Sequence, residues 1–290
     1  MSKRIFRSAC DRQLPIRLFL FLIALLLLIP IVFTLLYSFF SPSEIKNYLS
    51  QRGSLNTDQW MPVLISPRII SIGQYYHVLL ENSGILKRFL LSCFYTSAIL
   101  LGQALFVPSL AYALSSFVFR GRRTIFFVLI LFMLLPFQVT MVPSIIVLRS
   151  LNMLDTVWAV IVPMWFSPFY VFLIRQYMIS IPHELFEASQ LDGAGTIRCY
   201  VYIALPICRP VLGAAAALSF ADSWNMVEQP MTFLSKHDEL QPLSTTFNRL
   251  IATPSGIEFA GAVLYLLPAL LIYLFFRQDI ENGIHVTDIK

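Results

Sequence analysis

Two sets of polar residues interrupt an otherwise apolar chain, and each suits a different kind of chemistry. The first is Asp222, Trp224 and Asn225, a carboxylate, an indole and a carboxamide close together, followed by a second carboxylate, Glu228. Such groups accept hydrogen bonds from a hydroxyl-rich solute and stack on its apolar face. A carboxylate inside a bilayer costs about 2.5–3.5 kcal/mol on insertion scales, so it faces a partner or a wetted path. The alternative is that the helix leaves the membrane early and Glu228 lies at the outer interface. The second set runs from Ile181 to Gly195, Ile-Pro-His-Glu-Leu-Phe-Glu-Ala-Ser-Gln-Leu-Asp-Gly-Ala-Gly, and carries Glu184, Glu187 and Asp192. Neither set is a catalytic constellation. His77, His183, His237 and His285 are scattered and lack the i, i+4 pairing of a helical zinc site. Cys10, Cys93, Cys199 and Cys208 have no C-x-x-C spacing and read as reduced thiols. A G-x-S-x-G elbow and a G-x-x-x-x-G-K-[ST] phosphate loop are both absent from the chain. The expectation is no metal, no cofactor and no enzymatic activity.

The elements that must position these residues are membrane spans. With 57% hydrophobic residues, 13% charged residues and a mean hydropathy of +0.72, 290 residues have more apolar surface than a soluble core can hide. This composition argues against a soluble enzyme. The excess of 21 basic over 16 acidic residues fits loops that hold a protein in a bilayer, and no aromatic-basic motif for nucleic acid accompanies it. Charge-free runs near the length that crosses a hydrocarbon core of about 30 Å are Leu18 to Phe40, a stretch within Phe89 to Phe119, Ile125 to Leu148, Thr156 to Ile174, and Phe259 to Phe276. A sixth, Pro210 to about Leu234, is weaker because it holds Asp222 and Glu228. Its small-residue run Gly213 to Ala217 suits close packing inside a bundle.

Six spans put both termini on one side. Placing them in the cytoplasm collects the short basic clusters inside, among them Lys3, Arg4, Arg7, Arg12 and Arg17 and then Arg120, Arg122 and Arg123. The predicted organisation is a cytoplasmic segment 1–17, a first span 18–40 retained as a signal anchor, an extracytoplasmic segment 41–88 of irregular or short-helical character, a transmembrane core 89–277 containing a cytoplasmic loop 180–207, and a cytoplasmic tail 278–290. Trp158, Trp165 and Tyr170 read as packing or interface aromatics, and Pro136 and Pro143 as kinks or tolerated bends.

Within the loop, Pro182 suits a helix start and Ser180 a cap just ahead of it. Glu184 and Glu187 then lie near the positive end of the helix dipole. Leu185, Ala188 and Leu191 form a narrow apolar stripe, and Gly193 is a natural stop. Tyr200, Val201 and Ile203 continue into a second helix that Pro206 ends. So short a helix is marginal alone, so the rest of the chain, the membrane surface or a partner must hold it.

Glu187-Ala188-Ser189, then Gly193, then Ile203-x-Leu205-Pro206 resemble the EAA loop in the membrane subunits of binding-protein-dependent ABC importers, with Ser189 where the family usually has a second alanine. The resemblance extends over about Ile72 to Lys290. It includes Ala111-Tyr112-Ala113-Leu114 with Phe119-Arg120-Gly121, Leu135-Pro136 with Gln138 and Pro143, Leu151-Asn152 with Asp155-Thr156, and Phe220 with Trp224-Asn225 and Pro230. It is closest to the second permease subunit of the maltose-type carbohydrate importers. The tail departs from that type, since His285, Val286 and Asp288 replace expected residues.

The resemblance implies an all-α integral membrane protein of the bacterial cytoplasmic membrane, multi-pass, with six transmembrane helices. It implies a second permease subunit, two ABC ATPase subunits that bind the ATP, an extracytoplasmic solute-binding protein and a carbohydrate cargo. Glu184, Glu187, Ala188, Ser189, Asp192, Gly193, Ile203, Leu205 and Pro206 would form the contact with the ATPase, and Asp222, Trp224 and Asn225 a candidate translocation path. The rival readings are an importer of a non-sugar solute, an ion-gradient-driven transporter, which would need ionisable pairs deep in several spans, and a membrane scaffold that only docks.

Overall fold

In the computed structural model, residues 2–52, 66–81, 83–246 and 256–284 are described, and among them every regular element is helical. The chain divides into two compact units, Met1–Ile85 with Leu250–Leu264, and Leu86–Arg249 with Tyr265–Lys290. Among the described residues, four helical stretches are long and apolar enough to cross a membrane: Pro15–Tyr37, Gly84–Ser116, Val157–Ile179 and Glu258–Asp279. Two further pairs of helices qualify only if each bent pair is one span.

In the first unit, α1 (Ser2–Tyr37) carries the apolar run, with no part of its most hydropathic window buried. It ends three residues before the predicted Phe40. After it come α2 (Pro42–Arg52) and α3 (Gly73–Tyr76), the latter continuing as a π-helical turn His77–Glu81. Within 41–88 the described residues form these short helices and, from Ser83, the start of a long helix. Its core is Tyr37, Phe40 and Ile45, packed by Phe33 and Phe259. Gln74 is fully buried there. Its Nε2 donates to the Tyr37 and Phe40 carbonyls (2.7 and 3.0 Å), and its Oε1 accepts from Ala260 N–H (3.3 Å). One carboxamide therefore joins two carbonyls at and just beyond the end of α1 to the backbone at Ala260.

The second unit holds most of α4 (Ser83–Ser116), then α5 (Arg122–Leu134), α6 (Phe137–Ser150), α7 (Val157–Met164) and α8 (Pro168–Ile179). The predicted span Ile125 to Leu148 is not one straight helix: α5 and α6 meet at 109°. Pro136 brings no N–H and pushes Leu135 into extended backbone (φ −77°, ψ 126°), so the helix stops rather than kinks. Pro143, by contrast, sits inside α6.

After α8 come α9 (His183–Leu191) and a helix over Thr196–Ile207, built of α10 (Thr196–Cys199), a π turn Tyr200–Ala204 and α11 (Leu205–Ile207). Pro206 lies inside this helix instead of ending it. The π turn answers the missing donor: Leu205 N–H reaches back five residues to Tyr200 O. Then α12 (Arg209–Trp224) leaves at 75°. The predicted span to Leu234 is likewise broken, since α12 ends at Trp224 and a separate α13 (Glu228–Phe233) comes after it, with Glu228 in its first turn. Last is α14 (Glu258–Ile284), of which Tyr265 onward belongs to this unit.

Among the described residues of the second unit, two buried clusters stand out. One centres on Ala111, Leu114, Val171, Ile174, Ala204 and Val211, the other on Tyr95, Ile99, Val160, Ile161, Phe233 and Leu234. Helix ends are closed by side chains from other elements. Arg175 Nε donates to Leu114 O (3.1 Å) with its guanidinium 3.7 Å from the Phe126 ring centre, and Arg122 donates to Ser115 O and Phe117 O (3.0 and 3.2 Å). On α4, Arg88, Ser92 and Tyr95 lie along one face and fasten the 238–246 segment. Arg88 bonds Asp238 and Thr246 (2.6 and 3.1 Å), Ser92 Oγ accepts from Leu243 N–H (2.9 Å), and Tyr95 donates to Leu240 O (3.0 Å).

Candidate functional site: an unburied loop helix and a polar cavity

The loop begins where α8 ends. Ser180 does not cap α9, since its hydroxyl donates back to Tyr177 O (2.7 Å), and Pro182 occupies the cap position with extended ψ (132°). Helix α9 then runs nine residues with none buried. Its C-terminus closes by two backbone bonds, Ala194 N–H to Ser189 O (2.9 Å) and Gly193 N–H to Gln190 O (3.0 Å), with Gly193 at φ +79°. These are the two bonds of a Schellman motif, with glycine at the left-handed position it requires. Gly193 thus ends the helix as expected.

The apolar stripe is not the face that packs. Leu185, Ala188 and Leu191 are exposed, Leu191 at 89%, and Ile197 just beyond is 77% exposed. The half-buried positions are Phe186 and Ser189. The Phe186 ring meets Tyr112 of α4 (6.4 Å between centres), and Ser189 Oγ lies 3.1 Å from the buried Cys199 Sγ. Glu184, Glu187 and Asp192 stay exposed, and Ile203 and Leu205 are half-buried along the next helix. Ala188, Gly193 and Pro206 are exposed as well, so of the predicted loop residues only Ser189, Ile203 and Leu205 are half-buried.

Asp222, Trp224 and Asn225 are separated by the structure. Trp224 is 2% exposed, its ring stacked between Phe220 (5.5 Å, 12°) and Tyr265 (5.2 Å, 26°), and its Nε1 donates to Tyr265 O (3.1 Å). Asn225 donates to Ala221 O (2.9 Å) and accepts from Tyr265 Oη (3.0 Å). Both lock the end of α12 to α14, and neither ring face of Trp224 is free for a solute. Asp222 alone turns into a half-open cavity of about 440 Å³, lined also by Gln103, Thr140, Ser144, Ser167, Tyr170, Ser219 and Gln229.

Three breaks in the helices meet at that cavity: Leu135 and Phe137 flank the first, Met164 to Pro168 span the second, and Asp222 and Gln229 lie either side of the third. Irregular backbone at membrane depth is tolerated where protein or a wet cavity supplies hydrogen bonds. The second break illustrates this. Met164 O would accept from residue 168, but Pro168 has no N–H, and Gln103 Nε2 donates there instead (2.7 Å). Gln103 Oε1 in turn accepts from Ser219 (2.5 Å). Trp165, in the same break, lies against Gly102 and donates to Ala98 O (3.0 Å), a packing role as expected. Tyr170, read from sequence as packing, donates to Asp222 Oδ2 (2.6 Å). Gln103 and Ser219 do not stand out in the sequence pattern. An amide midway along an apolar span, and a serine one helical turn before Asp222, are the signals that point to them.

Glu228 lies outside the cavity lining and accepts from Gln138 Nε2 (2.9 Å). Among the described residues no group of His, Cys, Asp and Glu has metal-binding geometry. Residues 285–290, including the departures at His285, Val286 and Asp288, lie outside the described residues.

Residues 104–278 match the family model of the binding-protein-dependent transport system inner membrane component. The chain belongs to this family. Members are non-catalytic inner-membrane components of ABC importers, working with a second permease, ATPase subunits and a solute-binding protein. Among its relatives, the arabinooligosaccharides transport system permease protein AraQ of Bacillus subtilis is 29% identical over 96% of both chains. The diacetylchitobiose uptake system permease protein NgcG of Streptomyces coelicolor is 28% identical over 91% of this chain and 85% of that one. The sn-glycerol-3-phosphate transport system permease protein UgpE of Yersinia enterocolitica is 31% identical over 60% of this chain and 63% of that one. A chain from the crystal structure of a bacterial ABC transporter involved in import of the acidic polysaccharide alginate shares the fold, with a TM-score of 0.75 at 23% identity over 96% of this chain and 97% of that one.

Proposed function

We propose that this permease moves a carbohydrate handed over by its binding protein, as one half of a pair of unlike permeases. It would cross the membrane six times with both termini in the cytoplasm, and residues 180–207 would be the surface an ATPase subunit grips. The loop assignment rests on α9, a helix with no buried residue that stays ordered through its own Schellman closure and leaves Leu185 and Leu191 uncovered. Apolar side chains outside the spans suit a protein groove. Glu184, Glu187 and Asp192 surround them with charge and add specificity to such a contact.

The mechanical route from the loop is short. A pull on α9 passes through the Gly193 turn into Thr196–Ile207 and then into α12, which spans about 24 Å at 1.5 Å per residue and ends beside the cavity. ATPase closure at one end can therefore rock the wall that carries Asp222 at the other. The carbohydrate assignment draws on the arabinooligosaccharide and diacetylchitobiose relatives, which align along nearly the whole chain.

Two measurements on the complete transporter in proteoliposomes test this reading. Gly193→Asp should abolish ATP-driven uptake while the subunit reaches the membrane in normal amount; unchanged uptake removes the loop from the coupling path. Uptake over a panel of mono- and oligosaccharides, with amino acids, polyamines and glycerol phosphate as controls, should select a saccharide. Preference for a control overturns the cargo and leaves the transporter assignment standing.

A further inference from the structure

The cavity beneath Asp222 has a chemical sign. Among the described residues its lining contains one charged group, Asp222, and no Lys, Arg or His. The neutral polar groups around it are already oriented. Thr140 and Ser144 give their protons to Phe137 O (3.0 Å) and Thr140 O (2.7 Å), and Ser219 gives its proton to Gln103. Tyr170 gives its proton to Asp222 Oδ2, and both Nε2 and Oε1 of Gln103 are engaged. The second carboxylate oxygen of Asp222 is the one charged group on the wall; the hydroxyls add acceptor lone pairs, Ser167 and the Gln229 carboxamide can donate as well as accept, and apolar side chains such as Phe132, Phe137 and Phe166 make up the rest.

We propose that this cavity is a charge filter in the translocation path, admitting neutral polyhydroxylated solutes, whose O–H groups donate, and excluding anionic ones such as phosphate esters and uronates. The proposal rests on the carbohydrate-permease reading and narrows it to uncharged saccharides. An anion brought beside Asp222 meets like charge with no cation lining the wall, in surroundings where charge interactions are stronger than in water. A neutral saccharide brings no charge to be repelled, and its hydroxyls can donate to Asp222 and exchange hydrogen bonds with Ser167 and Gln229 while its apolar face meets Phe132, Phe137 and Phe166. Tyr170 is the positioning residue, holding the carboxylate against the α8 wall so that its second oxygen faces the space.

The test reads the sign of the cavity separately from the cargo. In a complete transporter whose permease has Cys10, Cys93, Cys199 and Cys208 replaced by serine or alanine, Ser167→Cys places a thiol on the cavity wall. Its labelling rate is compared for a cationic reagent (methanethiosulfonate ethyltrimethylammonium) and an anionic one (methanethiosulfonate ethylsulfonate), each normalised to a free thiol. The expected preference for the cation is about tenfold. Asp222→Asn should bring the ratio close to one, and Tyr170→Phe should change it less. A ratio near one with Asp222 in place, a preference for the anion, or no reaction with either reagent overturns the filter. Uptake of a uronate oligosaccharide at the rate of its neutral counterpart overturns it too, without touching the importer assignment. A neutral non-sugar as cargo overturns the carbohydrate reading and leaves the filter supported.

Discussion

Gly193 in the loop and Gly102 in the spans both exclude side chains, for opposite reasons. A Cβ at Gly193 would meet nothing within 4 Å, but the backbone there stands at φ +79°, which L-residues adopt at a cost. A Cβ at Gly102 would lie 1.9 Å from Trp165 Cδ1. The first glycine is needed for conformation and the second for space. The same contrast runs through both regions. The loop is held by local backbone bonds and leaves its faces open, while the cavity is held by side chains that reach across helices and leave little unpaired. A surface that is gripped and released benefits from the first design, and a wall of fixed shape inside a membrane needs the second.

The largest effect is expected from Gly102→Val. The branched side chain displaces the Trp165 ring and its bond to Ala98 O, combining an overpacking penalty with a lost hydrogen bond, about 3 kcal/mol or more in all. Thermal unfolding of the purified complex and the amount of subunit in the membrane measure it. A variant with normal abundance and unchanged Tm would mean that Trp165 does not sit on that glycine.

Gln103→Leu probes the same region without a clash. It leaves Met164 O, whose usual partner is a proline, unpaired, and removes the acceptor of Ser219. The expected loss is about 1–3 kcal/mol, read as a lowered Tm. Gln103→Glu, which keeps the acceptor and loses the donor, separates the two bonds. If neither variant shifts Tm, the carbonyl at the α7–α8 break is satisfied by other means.

These two residues also mark the limit of what the sequence discloses. The apolar runs, the break at Pro136, the polar loop and the stop at Gly193 are local facts, each written in a few neighbouring residues. Whether Pro136 kinks a span or turns it through 109° depends on what packs around it. The partnership of Tyr170 with Asp222 joins residues 52 positions apart, and that of Gln103 with Ser219 joins residues 116 apart. Trp224 and Asn225 stand beside Asp222 in sequence, but the helix turns them toward Tyr265 and away from the cavity. In the loop the apolar stripe was legible and its direction was not, because the packing face is set by Tyr112 and Cys199 from elsewhere.

Gly193→Ala tests the loop's side of the contrast. With no steric conflict, the cost is the left-handed backbone alone, about 1 kcal/mol or slightly more, and it falls on a turn outside the buried clusters. Tm should therefore stay within error of the parent while uptake falls several-fold, because the Schellman closure that orders α9 is weakened. Gly193→Asn, which tolerates the left-handed region better, should recover part of the uptake. A drop in Tm equal to that of Gln103→Leu would show that the loop bears on global stability and would erase the distinction between the two regions.

The smallest effect is expected from Ser189→Ala, which restores the alanine usual in loops of this kind. Ser189 donates to Phe186 O (2.8 Å) inside its own helix, so its contact with Cys199 at 3.1 Å either takes its proton from the thiol or is a plain packing contact. The first bond is one that a helix tolerates losing, because the carbonyl also lies within backbone reach. The second is the only one of the two that links α9 to the helix after the turn. A bond involving sulfur is weak, so the loss is about 0.5 kcal/mol, and uptake should stay within twofold of the parent. Cys199→Ala should match it, and the double variant should cost no more than either alone if the hydroxyl and the thiol act as one contact. Additive losses would mean that each side chain holds the loop separately, Ser189 through Phe186 and Cys199 through its contact with Ala194 O at 3.8 Å.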